Sequence, residues 1–450
     1  MTRRFLSLLA INTCVLSFLL PPSAVLAAEQ RLGDRLFLVR DKPGTPTQFQ
    51  VIVGAGCHDE ADGECRGLAH YLEHLVLVGR NPEHKEIAVR FFPDATSNGR
   101  TSQRATVYVH TMPARDEGPR ADLEQLFAFY AARLKDFSVS DADAERERRV
   151  VRQEHDWRVD SRPFARLARK LDRLLLPDHL AGQWVIGTAE DIDGFTVEKA
   201  RAFHRAWYAI NNVYFVVLAD IDPAELKALA ARGLAGLEPR KLPQRAFAKQ
   251  PAIQIERTDI VEQDPNIHRA GIYFKKLVRV EEDDLFAAGA ARSLATSFLS
   301  SRLPGSLHDA IVDRAKLAVA ASISVSRIAP KTLSMTIGAD AAPDVAPEAV
   351  LAAITAYVEQ LSPASLPTEI LARLKARQGA ATAAASQDQR QVYARLVSWL
   401  SNRNPYEQMA AFPQRVAAVT PEQVGLVLSG LATPGRIVTG TLLPSADRQP

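Results

Sequence analysis

From residue 30 onward, apolar positions along this 450-residue chain recur with two periods. Phe37-Leu38-Val39 and Phe49-Gln50-Val51-Ile52-Val53 read as strands on either side of a turn holding Pro43 and Gly44, and Arg104 to Met112 reads as another. Helical spacing takes over from Leu123 to Leu134, and again from Gly67 to Gly79 (GLAHYLEHLVLVG), an apolar stretch closed by a glycine. The same order returns later in the chain. Thr196-Val197-Glu198 opens a helix that ends before the strand Val213 to Leu218, and Thr420-Pro421-Glu422 opens one that ends before Ile437-Val438, each pair offset by 224 residues. The pattern predicts an α/β fold of the α+β kind: two homologous domains from an internal duplication, each a mostly antiparallel sheet packed with helices. The predicted domains span 29–239 and 251–450, joined by the polar, Pro243-containing linker 240–250.

The stretch from Gly67 to Gly79 also carries chemistry. Residues three and four apart share a helix face, so His70, Glu73 and His74 project into one small volume. Two neutral imidazoles a turn apart suit zinc, and a glutamate beside them that is not a ligand can take a proton from water. Such trios also occur on solvated helices, but Leu68, Leu72, Leu75, Val76 and Val78 make this helix largely buried, and a buried face rarely carries three polar groups without partners. A catalytic zinc site wants a third protein ligand. The segment from Ser140 to Glu154 starts with a good N-cap and an acidic first turn, then places Glu147 and Glu154 seven residues apart on one face.

In order and spacing, GLAHYLEHLVLVG, then Ser97 to Ser102 leading into Thr106-Val107-Tyr108, then RERRVVRQE resembles the pitrilysin/insulinase (inverzincin) family of zinc metallopeptidases, of the short two-domain bacterial type. The resemblance runs from about Leu32 to Leu242 and is only architectural beyond. It implies one Zn2+ per chain held by His70, His74 and Glu154, Glu73 as general base, and Glu147 supporting a ligand. It also implies that Asn98 and Thr101 line a substrate cleft whose backbone accepts an extended peptide. The implied function is a zinc-dependent endopeptidase. The alternatives are a non-catalytic assembly subunit and a zinc-dependent module that holds peptides without cutting them.

The second half departs from the family. The family's R-x-x-x-G-L-A-Y phrase reads here from Val312 to Val319, with valine at both the arginine and the tyrosine position and Arg314 two residues on. His268 and His308 form no second H-x-x-E-H. Short members of the family pair to close a chamber, so the implied partner is a zinc-less paralogue that supplies the arginine and tyrosine in a heterodimer, with a homodimer as second choice.

Composition adds limits. Residues 1–28 open with Arg3 and Arg4, run apolar from Phe5 to Leu20 and end in small residues, the pattern of a signal peptide for export to the periplasm, with a retained anchor as the alternative. Those residues hold two arginines and no acids, so the formal charge of +3 falls to +1 without them, and no basic block remains to suggest a nucleic-acid partner. Nothing after Gln30 is long and apolar enough for stable membrane insertion. Cys57 and Cys65 flank a polar loop just before the His70 helix; in an oxidising compartment they read first as a disulfide, and otherwise as a metal site with His58.

Overall fold

The computed structural model describes residues 29–61, 64–78, 96–136, 138–177, 179–245, 250–280 and 285–445. The signal-peptide reading at 1–28, the closing Gly79 and the middle of the linker (246–249) lie outside them.

Strands β1 (Glu29–Arg31), β2 (Leu36–Arg40), β3 (Thr47–Val53), β4 (Thr96–Thr101), β5 (Thr106–Met112) and β6 (Val213–Ala219) form one sheet in the order β1-β2-β6-β3-β5-β4. Strands β7 (Arg257–Asp264), β8 (Gly271–Arg279), β9 (Ala318–Ala329), β10 (Thr332–Ala341) and β11 (Arg436–Pro444) form a second in the order β7-β11-β8-β10-β9. The duplication is visible in the pairing. β6 lies parallel to β2 and antiparallel to β3, as β11 lies parallel to β7 and antiparallel to β8.

The helices follow in chain order: α1 (Leu68–Val78), α2 (Arg120–Lys135), α3 (Asp141–His155), α4 (Pro163–Leu175), α5 (Val197–Trp207), α6 (Pro223–Gly233), α7 (Leu285–Leu299), α8 (Pro347–Glu359), α9 (Thr368–Ala385), α10 (Gln389–Ser401), α11 (Tyr406–Ala418) and α12 (Pro421–Ala432). The two threonines that open the repeat are both N-caps. Thr196 Oγ1 accepts from the Lys199 N–H ahead of α5, and Thr420 Oγ1 accepts from the Gln423 N–H ahead of α12, each satisfying a donor left over at a helix start.

Each sheet has an inner core of its own. Phe49, Val51 and Phe215 pack against Leu72, Leu75, Phe127 and Trp207 in the first, and Phe274, Leu333 and Met335 pack against Leu294, Phe298, Ile354 and Leu428 in the second. The central strand β6 is apolar along its whole length and needs cover on both faces. Its outer cover comes from the other half of the chain: Val392, Tyr393, Leu396 and Leu400 of α10 lie on Phe37, Ile52, Val216 and Leu218. The exchange is mutual, since Leu167, Leu171 and Leu175 of α4 cover Leu277, Val438 and Leu442 of the second sheet.

Leu396 and Leu171 are fully buried at these crossed-over seams. Leu396→Ala and Leu171→Ala should each cost about 2–5 kcal/mol in denaturant unfolding. Because each seam joins the halves, calorimetry should show one cooperative transition, and two separable transitions would contradict the exchange.

Candidate metal centre

The start of α1 is held by charge and by a glycine. Glu60 accepts hydrogen bonds from the Arg66 N–H at 2.8 Å and the Ala69 N–H at 2.9 Å, capping the helix with a carboxylate where its dipole favours one. Burial pushes the Glu60 carboxyl up to about 7 against those bonds. Gly67 has φ +95°, and a Cβ there would fall 2.5 Å from the Ile186 carbonyl oxygen, so the loop that holds Ile186 can close onto α1 only at a glycine. Cys57 and Cys65 are disulfide-bonded with Cα atoms 4.7 Å apart, and Gln183 accepts from the Cys65 N–H.

Helix α3 runs beside α1, with the Tyr71 hydroxyl of α1 donating to the Ala144 carbonyl at 2.8 Å. Its N-cap is Ser140, which accepts from the Asp143 N–H. The packing brings the predicted ligands together. His70 Nε2 lies 3.6 Å and His74 Nε2 3.5 Å from the same oxygen, Oε2 of Glu154, and the three donor atoms all fall within 4.8 Å of one another. Ligands about 2.1 Å from a tetrahedral centre stand about 3.4 Å apart, so this donor set fits a zinc ion with little adjustment. On the other side of its ring, His74 Nδ1 lies 3.4 Å from Glu147 Oε2, which selects the tautomer with Nε2 free to ligate. Arg146 pairs with the remaining Glu147 oxygen at 3.1 Å.

Glu73 is buried, and its carboxylate accepts from the Thr101 hydroxyl at 2.6 Å. Gly99, two residues back along β4, leaves the space beside it: a Cβ there would lie 2.4 Å from Glu73 Oε1. Burial lifts the Glu73 carboxyl to about 7, with Thr101 pulling the other way. His70 is pushed down to about 4 by burial and by the neighbouring His74 charge. For His74 burial pulls down, but hydrogen bonds to Glu147 and Glu154 outweigh it and lift the imidazole to about 9. Glu147 is held below the usual carboxylate range chiefly by His74. Glu154 also sits low, because His74, His70 and Arg158 overcome its burial.

These groups face a cleft of about 650 Å³ lined by β4 residues Asn98 to Thr101 on one wall and by Trp184, Val185 and Ile186 on another. The sequence reading has Asn98 to Ser102 leading into a strand; residues 96–101 are themselves the strand β4, paired among the described residues only with β5 at the end of the sheet. No described residue pairs with its outer edge. Asn98 lines the cleft with its side-chain oxygen folded back onto the Gly99 N–H, while Thr101 is engaged with Glu73.

Two features had weaker sequence signals. Arg158 donates to Glu154 Oε1 at 2.7 Å from a π-helical turn, Asp156–Asp160, that continues α3. Its spacing of four from Glu154 was the available clue. His155, Asp156 and Asp160 form a second acidic cluster. Arg169 Nη1 lies 2.9 Å from His155 Nε2, which must then accept, and His155 Nδ1 lies 3.4 Å from Asp160 Oδ2. In the second half, Val312 lies on the turn Asp309–Arg314, Val319 is exposed at the start of β9, and Arg314 is paired with Asp309 at 3.0 Å.

The description "Insulinase (Peptidase family M16)" matches residues 35–177, and "Peptidase M16 inactive domain" matches residues 194–378. The chain belongs to the M16 insulinase family. A probable zinc protease, PqqL of Escherichia coli strain K12, is 27% identical over 280 residues, covering 58% of this M16 chain and 28% of that protein. Zinc protease PqqE of Helicobacter pylori is 25% identical over 224 residues, 48% of each chain. The chain thus spans between about a quarter and a half of these curated relatives. Its fold matches a protease from Helicobacter pylori with a TM-score of 0.74 at 20% identity, over 91% of this chain and 97% of that one. It also matches the first half of the periplasmic protease PqqL of Escherichia coli with a TM-score of 0.70 at 20% identity, over 92% and 90%. Among the described residues no helix is long and apolar enough to cross a membrane.

Because His74 titrates above free imidazole in the metal-free protein, its ion pairs stabilise the fold fully below about pH 6.5 and fade as pH rises through about 9. The stability gap between metal-free protein and its His74→Gln variant should be largest at pH 6 and shrink by pH 9.5; a gap that widens with pH would contradict this assignment. Zinc uptake at pH 7.5 should also release a proton, read by calorimetry in buffers of different ionisation enthalpy.

Proposed function

We propose that this M16 chain is a zinc-dependent endopeptidase that cuts peptides or unfolded polypeptide segments in the periplasm, as the catalytic subunit of a dimer. The observation that carries the reading is the convergence of His70, His74 and Glu154 on one point with the Glu73 carboxylate beside them, in a cleft walled by the sheet strand β4. When bound there, zinc polarises the scissile carbonyl and lowers the pKa of water toward neutrality.

The chain's own groups divide the remaining work. Glu73, beside the predicted ligands and held by Thr101, takes the proton from the attacking water and passes it to the leaving amine. Thr101 fixes which Glu73 oxygen faces the cleft. Glu147 holds the His74 ring in its ligating tautomer. The outer edge of β4 pairs with an extended peptide through main-chain bonds, which depend little on side chains. The leader pattern at residues 1–28 and the likeness to a periplasmic protease support the location.

Val312 and Val319, standing where the family carries arginine and tyrosine, support a second chain as part of the working enzyme: a zinc-less paralogue with that pair before a second copy of this chain. The same valines are what favours the second reading, a non-catalytic assembly subunit.

Metal analysis of the purified mature chain should find one zinc, lowered by His70→Ala, His74→Ala or Glu154→Ala. Glu73→Gln should keep the metal while peptide hydrolysis drops about 10²–10⁴-fold; hydrolysis at the normal rate would sink the mechanism, and no hydrolysis by the unaltered chain, alone or with the paralogue, would favour the assembly subunit. Thr101→Val should lower kcat roughly tenfold with little change in KM, and Thr101→Ser should restore most of it, since only the hydroxyl holds the base.

A further inference from the structure

Among the described residues, the charged groups that line the cleft are not all paired. Its lining carboxylates are all engaged: Glu73 by Thr101, Glu154 by Arg158 and the two histidines, and Asp172 by the Lys275 ammonium of the second half and by the Trp184 indole N–H at 3.1 Å. Two guanidiniums line the same space. Arg158 spends one edge on Glu154 and is otherwise exposed, leaving several N–H groups directed elsewhere. Arg100 is exposed on β4 and makes no hydrogen bond or ion pair with any described residue. Among the described residues, unpaired positive charge therefore sits on β4 and beside the carboxylate that joins the two histidines.

Register says what that charge meets. Side chains alternate along a strand, and Gly99 and Thr101 both face Glu73, so Asn98 and Arg100 project from the other face of β4 while still lining the cleft along that strand. A peptide strand laid along the outer edge of β4 places every second side chain next to that row, within reach of a cross-strand charge pair. Guanidinium binds carboxylate in a two-pronged fashion and stays charged at all working pH values.

We propose that Arg100, together with Arg158 in the same cleft, makes the site selective for substrates carrying an acidic side chain within about three residues of the cut bond. The proposal rests on the peptidase reading above and adds the substrate class to it. Lysine or arginine at the same positions is disfavoured by like charge, and neutral residues fall between. The selectivity belongs to this chain's own residues and does not require the partner subunit.

The test is a set of internally quenched peptides that differ only in having Glu, Gln or Lys at one position, moved through three residues on either side of the cut. At one position or more, kcat/KM for the Glu peptide should exceed that for Gln by about three- to tenfold, with Lys lowest, and the spread should narrow as salt is raised. Arg100→Glu should reverse the order of Glu and Lys within the same variant, a ratio that a general loss of activity does not produce. Fluorescence anisotropy of the labelled peptides on the Glu73→Gln protein should give the same ranking without any cutting. Equal rates and equal binding for the three peptides, or a Glu preference that survives Arg100→Glu, would overturn the proposal. If the Gln peptide is cut but charge makes no difference, the selectivity alone fails; if binding ranks the peptides but none is cut, the peptidase reading fails and the acidic preference stands.

Discussion

The Glu154 carboxylate is the junction on which the site depends. One oxygen faces both histidines of α1, and the other is held by Arg158 from the turn that extends α3. Burying two imidazoles and three carboxylates is costly unless each finds a partner. The packing of α1 on α3 supplies those partners in pairs: His74 with Glu147 and Glu154, His70 with Glu154, and Glu73 with a hydroxyl from β4. An ion adds to this arrangement by replacing a proton on His74 with a stronger positive charge, and the carboxylates that stabilise the imidazolium are the ones placed to stabilise a dication.

Much of this was legible in the sequence for physical reasons. A helix with period 3.6 obliges His70 and His74 to share a face, and the seven-residue spacing does the same for Glu147 and Glu154, so the ligand set needed only the packing of two helices to be completed. The N-caps at Ser140, Thr196 and Thr420 were readable because capping is a local exchange between a side chain and the first turn. The disulfide was readable because only two cysteines remain beyond residue 28.

What escaped the sequence depends on contacts distant along the chain. The strand at residues 96–101 carries Gly99 and few apolar residues, so its pattern resembles a loop; its pairing with β5 makes it a strand. Thr101 lines the cleft, but nothing local in the sequence shows that its hydroxyl is set on Glu73. Arg314 reads as a substitute for the missing family arginine until Asp309 is found to occupy it. The crossed-over helices leave no mark in periodicity either, because an apolar face looks the same whichever sheet it covers.

That exchange bears on how the chain acquires its shape. The outer face of the sheet that carries the metal helix is covered by residues 389–401, which leave the ribosome or a translocation channel more than three hundred residues after α1. Until they arrive, Phe37, Ile52, Val216 and Leu218 remain a wet apolar surface, and the loops that must close to cover them run from 174 residues (Leu218 to Val392) to 363 (Phe37 to Leu400). The outer face of the first half is thus completed only after the second half has been made, whereas the inner core that holds the metal helix is built from the first half's own residues.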